Sequence, residues 1–242
     1  YADGAYKVVE KFYAAQVGEA KYETFAEAVE AAEAGATVEL LNDATGAGVV
    51  INKNLTIDFG GKTYTANAGV GSAGTQTLAL QILKGNNVTL QNGTLTSEGE
   101  NIKMLINNYA NLTVNDMQLV DATDAIQYVL SNNCGEVAIN NSVITSDAIA
   151  LDACKYASYD APVVTVDANS VVTGDVEVSA TLYMNGTLTG TIIINKATGT
   201  VNGAVDLNVI TNVADYKVVN NNGVYTIEEK HYVAQVDGVQ YE

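Results

Sequence analysis

Short segments of alternating apolar and polar residues, separated by Asn, Asp and Gly, occupy residues 37–210. Five of these segments share one pattern: LTID (55–58), VTLQ (88–91), LTVN (112–115), VAIN (137–140) and VTVD (164–167). Their first and third positions are aliphatic, the second is mostly Thr, and the fourth is Asp, Asn or Gln. Alternation with a period of two places the aliphatic side chains on one face of a strand. The pattern therefore predicts a series of similar short strands.

The segments recur at intervals that fit the coils of a solenoid. Their first residues lie 33, 24, 25 and 27 positions apart, and a second aliphatic position follows at Leu95, Leu119, Ile144 and Val171. The last coils shorten, and VVTGDVEV, TLTGTIII and TVNGAVDL place Gly174, Gly190 and Gly203 at matching positions. Strands of stacked coils lie about 4.8 Å apart. We therefore expect a parallel β-helix, with the fourth-position polar side chains stacked at one corner. An up-and-down barrel, the alternative, would have more even strand spacing and tight hairpins.

Elements of a different kind flank the coils. Residues 24–34 predict an amphipathic helix, because Phe25, Ala28, Val29 and Ala32 fall on one face. Thr24 and Glu27 have the spacing of a capping box, and Gly35 marks the helix end. Residues 216–227 predict a hairpin with its turn at 220–223. Since the ends of a solenoid expose unpaired strand edges, we expect the helix to cap the first coil and the hairpin to close the last.

A longer repeat relates residues 4–23 to residues 223–242. The two segments align without gaps at an offset of 219, and ten of the twenty positions are identical. A repeat of that length is a whole domain, which indicates a tandem array. We expect residues 1–12 to end a preceding unit, with a hairpin arm at 3–9. Residues 13–231 would form one unit that opens with a single short strand, and residues 232–242 would begin the next unit.

The amino-acid composition argues against several kinds of partner and cofactor. The chain of 242 residues carries 28 Asp and Glu against 11 Lys and no Arg, a net charge of −17. Such a chain repels phosphate backbones, so nucleic acid is not an expected partner. No apolar run reaches the roughly 18 residues of a membrane span, and we expect no membrane insertion. One His and two Cys are too few for zinc chemistry, so we expect no metal and no cofactor. Cys134 and Cys154 are either buried thiols or a disulfide.

The first third of the chain carries a family resemblance. Its motifs are AQV at 15–17, TFAEAVEAA at 24–32, TVELL at 37–41 and NLTIDFGGK at 54–62. These motifs resemble modules of large surface proteins of gut bacteria, which are similar to the pectin-lyase superfamily. The resemblance covers residues 13–227 and is strongest over residues 13–64. It implies an all-β, single-stranded right-handed parallel β-helix and an extracellular location at the bacterial cell surface.

The same superfamily contains lyases and hydrolases, so both kinds of enzyme are alternatives to a non-enzymatic module. Its lyases commonly use Arg as the base, and this chain has no Arg. Hydrolases need only carboxylates. Asp121, Asp147 and Asp175, with Asp124 and Asp152 nearby, follow successive strand starts and would form an acidic ridge. The ridge is an acid pair, a Ca²⁺ site or a set of turn caps that keeps the rod soluble. The N-T-D, D-D and G-H-G motifs of polygalacturonase-like hydrolases are absent, so we expect no catalytic residues.

Tyr156 and Tyr159 are the candidate binding residues. They lie in the insertion KYASYDAP (155–162), and exposed tyrosine rings stack well on sugar rings. Packing over a loop is the alternative interpretation. Five N-x-T sequences begin at Asn54, Asn87, Asn92, Asn111 and Asn185. Three of them directly precede a strand core, so we interpret them as turn residues and not as glycosylation acceptors.

Together these patterns predict a non-enzymatic, monomeric repeat module of a bacterial cell-surface or secreted protein, acting as a stalk or adhesin-like unit. Its expected partners are neighbouring units of the same chain and host or cell-wall glycans. The alternative is a carbohydrate-binding or carbohydrate-active β-helix, which would bind glycans through Tyr156 and Tyr159 or cleave them at the acidic ridge.

Overall fold

A computed structural model describes residues 10–72, 76–236 and 239–241 of the chain. Within them lie one helix, α1 (Phe25–Ala31), and a long series of short strands. In chain order the strands are Ala15–Val17 (β1), Ala20–Tyr22 (β2), Thr37–Leu40 (β3), Ala44–Ala47 (β4), Val49–Ile51 (β5), Leu55–Asp58 (β6), Thr63–Ala68 (β7), Leu78–Ile82 (β8), Asn87–Ser97 (β9), Met104–Asn108 (β10), Asn111–Val120 (β11), Tyr128–Asn132 (β12), Glu136–Asn140 (β13), Val143–Ala153 (β14), Val163–Val166 (β15), Val171–Val178 (β16), Thr181–Met184 (β17), Thr187–Thr189 (β18), Ile192–Ile194 (β19), Thr200–Gly203 (β20), Val209–Thr211 (β21), Tyr216–Asn221 (β22), Val224–Glu229 (β23), Ala234–Val236 (β24) and Val239–Tyr241 (β25).

Parallel pairing arranges most of these strands in three stacks. Stack A contains β3, β6, β9, β11, β13, β15, β17 and β20. Stack B contains β4, β7, β9, β11, β14, β16 and β18. Stack C contains β5, β8, β10, β12, β14, β16, β19 and β21. The long strands bend from one stack into the next, so the stacks form one large, mostly parallel sheet. This is the all-β solenoid that the sequence predicts, and the parallel pairing rules out an up-and-down barrel.

The predicted aliphatic ladders form the core between the stacks. Leu55, Val88, Leu112, Val137 and Val164 are in register on neighbouring strands of stack A, and all are buried. In stack B the ladder joins Leu95, Leu119 and Ile144, but its next member is Val172. The expectation of Val171 at this position is wrong. The turn before β16 is longer than the turn before β14, so the next coil enters stack B one residue later.

One of the three aligned glycines belongs to a different stack. A Cβ built on Gly190 would lie 2.2 Å from the carbonyl oxygen of Gly174, so these two residues are stacked neighbours. Gly203 instead pairs with Met184 in stack A. The predicted match of Gly203 to Gly174 and Gly190 is therefore wrong. In the shortened coils, similar short sequences occur in two different stacks, so an alignment of the sequences alone does not match equivalent positions.

The predicted polar corner lies between stacks A and B. Asp58, Gln91, Asn115 and Asn140 are in register there. Gln91 Nε2 donates a hydrogen bond to Asp58 Oδ2 at 2.8 Å, and Asn140 Nδ2 donates to Asn115 Oδ1 at 2.9 Å. The chain then turns through residues with positive φ: Asn92 (60°), Asp116 (53°) and Asn141 (46°). Asn and Asp tolerate this conformation better than most residues, which explains the polar sequence at this corner.

Helix α1 is shorter than the predicted 24–34. Thr24 and Glu27 form both hydrogen bonds of the capping box, as the sequence predicts. The helix ends at Ala31, because Ala32 is extended (φ −63°, ψ 136°). Lys53 Nζ donates hydrogen bonds to the carbonyl oxygens of Glu30 and Ala32 at 2.9 and 2.7 Å. Lys53 thus provides hydrogen-bond donors for carbonyl groups at the helix end, where the sequence predicted a stop at Gly35.

Antiparallel hairpins lie at both ends of the stacks. Strands β1 and β2 pair with each other, and β1 also pairs with β3; one short strand was expected here, so that expectation is wrong. Strands β22 and β23 pair through six residues each, and β23 also pairs with β20. Strands β24 and β25 form a separate hairpin. The arm expected at residues 3–9 lies outside the described residues, and the unit boundaries stay predictions.

Candidate functional site

Tyr156 and Tyr159 lie in a tight turn that follows stack C. The backbone N–H of Tyr159 donates to the carbonyl oxygen of Tyr156 at 3.0 Å, and Ala157 between them has a positive φ of 45°. The N–H of Tyr156 donates to the carbonyl oxygen of Asn133 in the preceding coil at 3.0 Å. The insertion is therefore fastened to the solenoid by its backbone. Tyr156 remains 53% exposed.

A third tyrosine joins these two. Tyr109, which follows β10, contacts both rings edge-on, with centroids 5.7 Å from each. The rings of Tyr156 and Tyr159 are 6.1 Å apart and tilted by 31°. We call Tyr109, Tyr156 and Tyr159 the aromatic cluster. Burial raises the pKa of Tyr109, and the neighbouring tyrosines act in the same direction, so its ring stays neutral at physiological pH.

Lys84 places a positive charge on the aromatic cluster. Its Nζ lies 4.7 Å from the ring centroid of Tyr159, a cation–π distance, and 4.0 Å from Asp160 Oδ2. The Asp160 side chain is 97% exposed, so solvent screens this ion pair and it contributes little to stability. Both side chains are available to hydrogen-bond a ligand beside the rings.

Concave surfaces adjoin the aromatic cluster on two sides. A groove of about 510 Å³ runs along the corner before stack A and is lined by Lys84, Tyr109, Cys134, Glu136 and Asp160 among others; we call it the corner groove. A smaller depression of about 230 Å³ is lined by Ser72, Gln81, Leu83, Lys84, Tyr109, Tyr156 and Tyr159. An exposed ring beside polar side chains provides an apolar face and hydrogen-bonding groups together. Sugars have the same combination of C–H faces and hydroxyl groups.

The sequence pattern did not predict that Tyr109 and Lys84 lie beside the insertion at residues 155–162. A signal was available for Tyr109, because Tyr109 and Cys134 each precede a strand core by three residues. Cys134 Sγ donates a hydrogen bond to the carbonyl oxygen of Tyr109 at 3.0 Å, so the two residues lie at the same corner in successive coils. Cys134 and Cys154 are both free thiols. The sequence carries no signal that residues 155–162 fold back over this corner.

The acidic ridge is only partly assembled. Asp121, Asp124 and Asp147 line one depression of about 360 Å³. Asp175 is not among the residues that line this depression; it pairs with Ile149 on the neighbouring strand and accepts a hydrogen bond from the N–H of Thr191 at 2.9 Å. Asp121 accepts from the N–H of Thr123 and from Ser146 Oγ, both at 3.2 Å, which is the bonding of a turn cap. Among the described residues, no three His, Cys, Asp or Glu side chains are grouped to hold a metal ion.

Asp152 belongs to a buried polar group in stack C and not to the ridge. It is 5% exposed, and it accepts hydrogen bonds from Ser131 Oγ and the N–H of Asn132, both at 2.7 Å. Burial raises the pKa of Asp152 to about 7, which the two hydrogen bonds only partly oppose. The neighbouring Glu177 accepts from the Tyr128 hydroxyl at 3.1 Å. A signal for this burial was available in the sequence, because the residues on either side of Asp152, Leu151 and Ala153, are apolar.

Three of the N-x-T asparagines form a second polar ladder at the start of stack A. Asn54 Oδ1 accepts from the N–H of Asn87 at 2.8 Å. Asn87 Oδ1 accepts from Asn111 Nδ2 at 3.0 Å, and Asn111 Oδ1 accepts from the N–H of Glu136 at 3.0 Å. These bonds join one coil to the next, as the interpretation of these asparagines as turn residues predicts.

Comparisons with protein-family models, curated proteins and solved structures found no match to this chain. The resemblance to surface modules of gut bacteria therefore stays a prediction. In the part of the chain that the structure describes, no helix is both long and apolar enough to cross a bilayer.

Proposed function

We propose that the chain is a non-enzymatic module of an extracellular tandem-repeat protein of a bacterial cell surface, acting as a stalk or adhesin-like unit. The observation that carries this proposal is a hairpin that occurs twice. Strands β1 and β2 pair Ala15 with Tyr22 and Val17 with Ala20. Strands β24 and β25 pair Ala234 with Tyr241 and Val236 with Val239, the same register at an offset of 219 residues. The sequence repeat is thus also a repeat of backbone structure.

The ends of the solenoid support its assignment as a complete unit. We assign α1 as the cap of the first coil, because Phe25 is 1% exposed and its ring lies 4.6 Å from the ring of Tyr64. We assign the β22–β23 hairpin as the closing element, because β23 covers the outer edge of β20. Covered ends keep solenoid edges from pairing with other chains. A right-handed, single-stranded parallel β-helix is the form that we propose for the coils between them.

The proposed partners follow from the repeat. Within one chain, a neighbouring unit is joined through residues 230–233, which separate β23 from β24. The N–H of Lys230 donates to the carbonyl oxygen of Asp215 at 2.8 Å, and the Tyr232 hydroxyl donates to Asp215 Oδ1 at 3.4 Å. A link that is short and bonded to the preceding unit favours a semi-rigid joint. The location at the cell surface rests on the family resemblance.

Calorimetry of a chain extended by a second unit tests the proposed repeat. A copy of residues 24–231 added after Glu242 would complete the unit that β24 and β25 begin. We expect the calorimetric unfolding enthalpy per mole of chain to be about twice that of the original chain, because enthalpy scales with the number of folded residues. A control extension with the same residues in scrambled order should add little. An enthalpy unchanged by the ordered extension would contradict the proposed unit.

Glycan binding at the aromatic cluster is a second candidate function. The observation that favours it is the half-exposed ring of Tyr156, held by backbone hydrogen bonds beside Lys84 and two concave surfaces. A ring that only covered a loop would bury more of its face. We propose that Tyr156 stacks on a sugar ring and that Lys84 and Asp160 bond its hydroxyl groups.

A glycan array followed by titration tests this candidate. Tyr156→Ala should weaken binding of a retained short glycan about tenfold or more, since a stacking contact is lost. Phe12→Ala is the matched control, because Phe12 is also 53% exposed. We expect no release of reducing sugar from bound glycans. Equal binding by the two variants would contradict a role for Tyr156, and product formation would contradict a non-enzymatic module.

A further inference from the structure

The outward face of stack A carries one continuous row of side chains. Register places Thr89, Thr113, Ala138, Thr165 and Tyr183 side by side on successive strands; we call them the threonine row. Adjacent members are about 4.8 Å apart, so the row spans roughly 19 Å. Within the described part of the chain, the hydroxyls of Thr89, Thr113 and Thr165 make no hydrogen bond to protein. Thr89 and Thr113 lie on adjacent strands, Ala138 separates Thr113 from Thr165, and all three hydroxyls are open to a ligand.

The row lies in a groove that joins the candidate site. A concavity of about 510 Å³, the face groove, is lined by Thr89, Thr113, Ala138 and Thr165 of the row. Four further residues, Asn87, Asn111, Glu136 and Val163, line both this groove and the corner groove. The corner groove reaches Tyr109 of the aromatic cluster. The two grooves and the cluster therefore form one continuous concave surface.

An exposed aromatic side chain ends the row. Tyr183 pairs with Thr165 and is 41% exposed, whereas the inward neighbours Leu182 and Met184 are buried. A large ring facing water on a strand has no packing role in the core. The Tyr183 ring offers a second stacking face, one strand beyond Thr165, which lines the face groove.

Charge and backbone pairing select the class of ligand. Among the described residues that line the face groove, Glu136 alone is ionisable, and the whole chain has a net charge of −17. Anionic ligands would be repelled. The floor is the face of a parallel sheet whose strands β9, β11, β13 and β15 are paired on both sides. It offers no free backbone edge to which an extended peptide could add as a strand.

We propose that the threonine row is the floor of a binding site for an extended, uncharged glycan, with Tyr183 as its second aromatic contact. This inference rests on the glycan-binding candidate and extends it from one sugar at Tyr156 to a chain of sugars. Three of the four row members that line the face groove, Thr89, Thr113 and Thr165, carry hydroxyls that can bond the hydroxyl groups of successive sugar units. The Asn87 and Asn111 side chains, bonded to each other at 3.0 Å, hold the groove wall rigid.

Titration of the full chain with linear neutral oligosaccharides of increasing length tests the proposal. The probes are cello-, xylo-, manno- and malto-oligosaccharides of two, four, six and eight sugar units. We expect affinity to rise by about tenfold or more between two and six units for the matching series. Ala138→Glu, which places a long charged side chain in the middle of the row, should abolish this rise but leave binding of the disaccharide intact.

Two further variants test the role of Tyr183 and control for the added charge. Tyr183→Ala should reduce the gain only for the longer chains, whereas Ala168→Glu, the same change at an exposed turn outside the grooves, should leave the series unchanged. Thermal melting followed by circular dichroism shows that each variant is folded. An affinity that is independent of length, or a rise that survives Ala138→Glu, overturns the extended site and leaves the Tyr156 contact standing. No binding at any length by the unmodified chain overturns both.

Discussion

Asp152 is a buried carboxyl group whose ionisation is linked to folding. In the unfolded chain its pKa is near the ordinary 3.8, and in the folded protein burial raises it to about 7. Between these values the native state keeps a proton that the unfolded state has released. The native state therefore binds more protons, and the contribution of Asp152 to the free energy of unfolding falls as the pH rises from about 4 to about 7.

Replacing Asp152 by Asn removes this pH dependence. We expect Asp152→Asn to raise the free energy of unfolding, relative to the original chain, by an amount that grows from pH 4 to pH 7 and reaches a few kcal/mol at most. The amide can still accept from the N–H of Asn132. Urea unfolding at a series of pH values measures the difference. A difference that does not change over this range would show that Asp152 ionises as readily in the folded protein as in the unfolded chain.

Asp58 supplies the matched control with the opposite sign. Burial raises its pKa, but hydrogen bonds from Gln91, the N–H of Gly60 and Asn92 outweigh burial and hold the pKa below the ordinary value. Its contribution to stability is therefore present above the unfolded pKa and is lost as the pH falls through the folded pKa. Asp58→Asn should destabilise the protein at neutral pH, and the loss should shrink in acid.

At the scale of elements, the sequence predicts the parts of the fold that repeat. The aliphatic ladder from Leu55 to Val164 and the polar corner from Asp58 to Asn140 were predicted because each coil uses the same residue types at the same positions. Alternation with a period of two also defines which face is buried. Inward and outward positions in stack A could therefore be assigned from single segments.

The prediction fails where coil length changes. One extra residue in a turn moved the ladder from Val171 to Val172, and shortening moved Gly203 into stack A. The β1–β2 hairpin was not predicted, because strands of three residues are too short to show a clear alternation of apolar and polar positions. A change of one residue in a turn is hard to see in the sequence, but it moves the side chains of the strand that follows by one position.

The candidate site was predicted only in part for a related reason. The insertion was recognised because it interrupts the coil pattern and contains two tyrosines. Its contacts with Tyr109 and Lys84 depend on how residues 155–162 fold back over an earlier coil, which no local pattern encodes. The acidic ridge was predicted by counting residues from each strand start, and three of its carboxylates, Asp121, Asp124 and Asp147, do line one depression. Asp121 follows β11, whereas Asp147 lies within β14 and Asp175 within β16, so equal counting from the strand starts did not place the three carboxylates at equivalent positions.

For the whole molecule we propose a solenoid unit with covered ends that is joined to the next unit by a short link. Residues 230–233 leave little slack between β23 and β24, and two hydrogen bonds tie the link to Asp215. The net charge of −17 on the chain also makes neighbouring units repel each other. Both features favour neighbouring units that extend away from each other over units that fold back on one another.

Small-angle scattering of the chain extended by residues 24–231 tests whether two successive units form a semi-rigid array. We expect a distribution of interatomic distances with a distinct second maximum, because a semi-rigid joint would hold the two units within a narrow range of angles. Inserting a flexible Gly-Ser segment between Glu229 and Lys230 should blur that maximum. A distribution for the uninterrupted two-unit chain that is already as broad as that of the Gly-Ser variant would contradict a semi-rigid array.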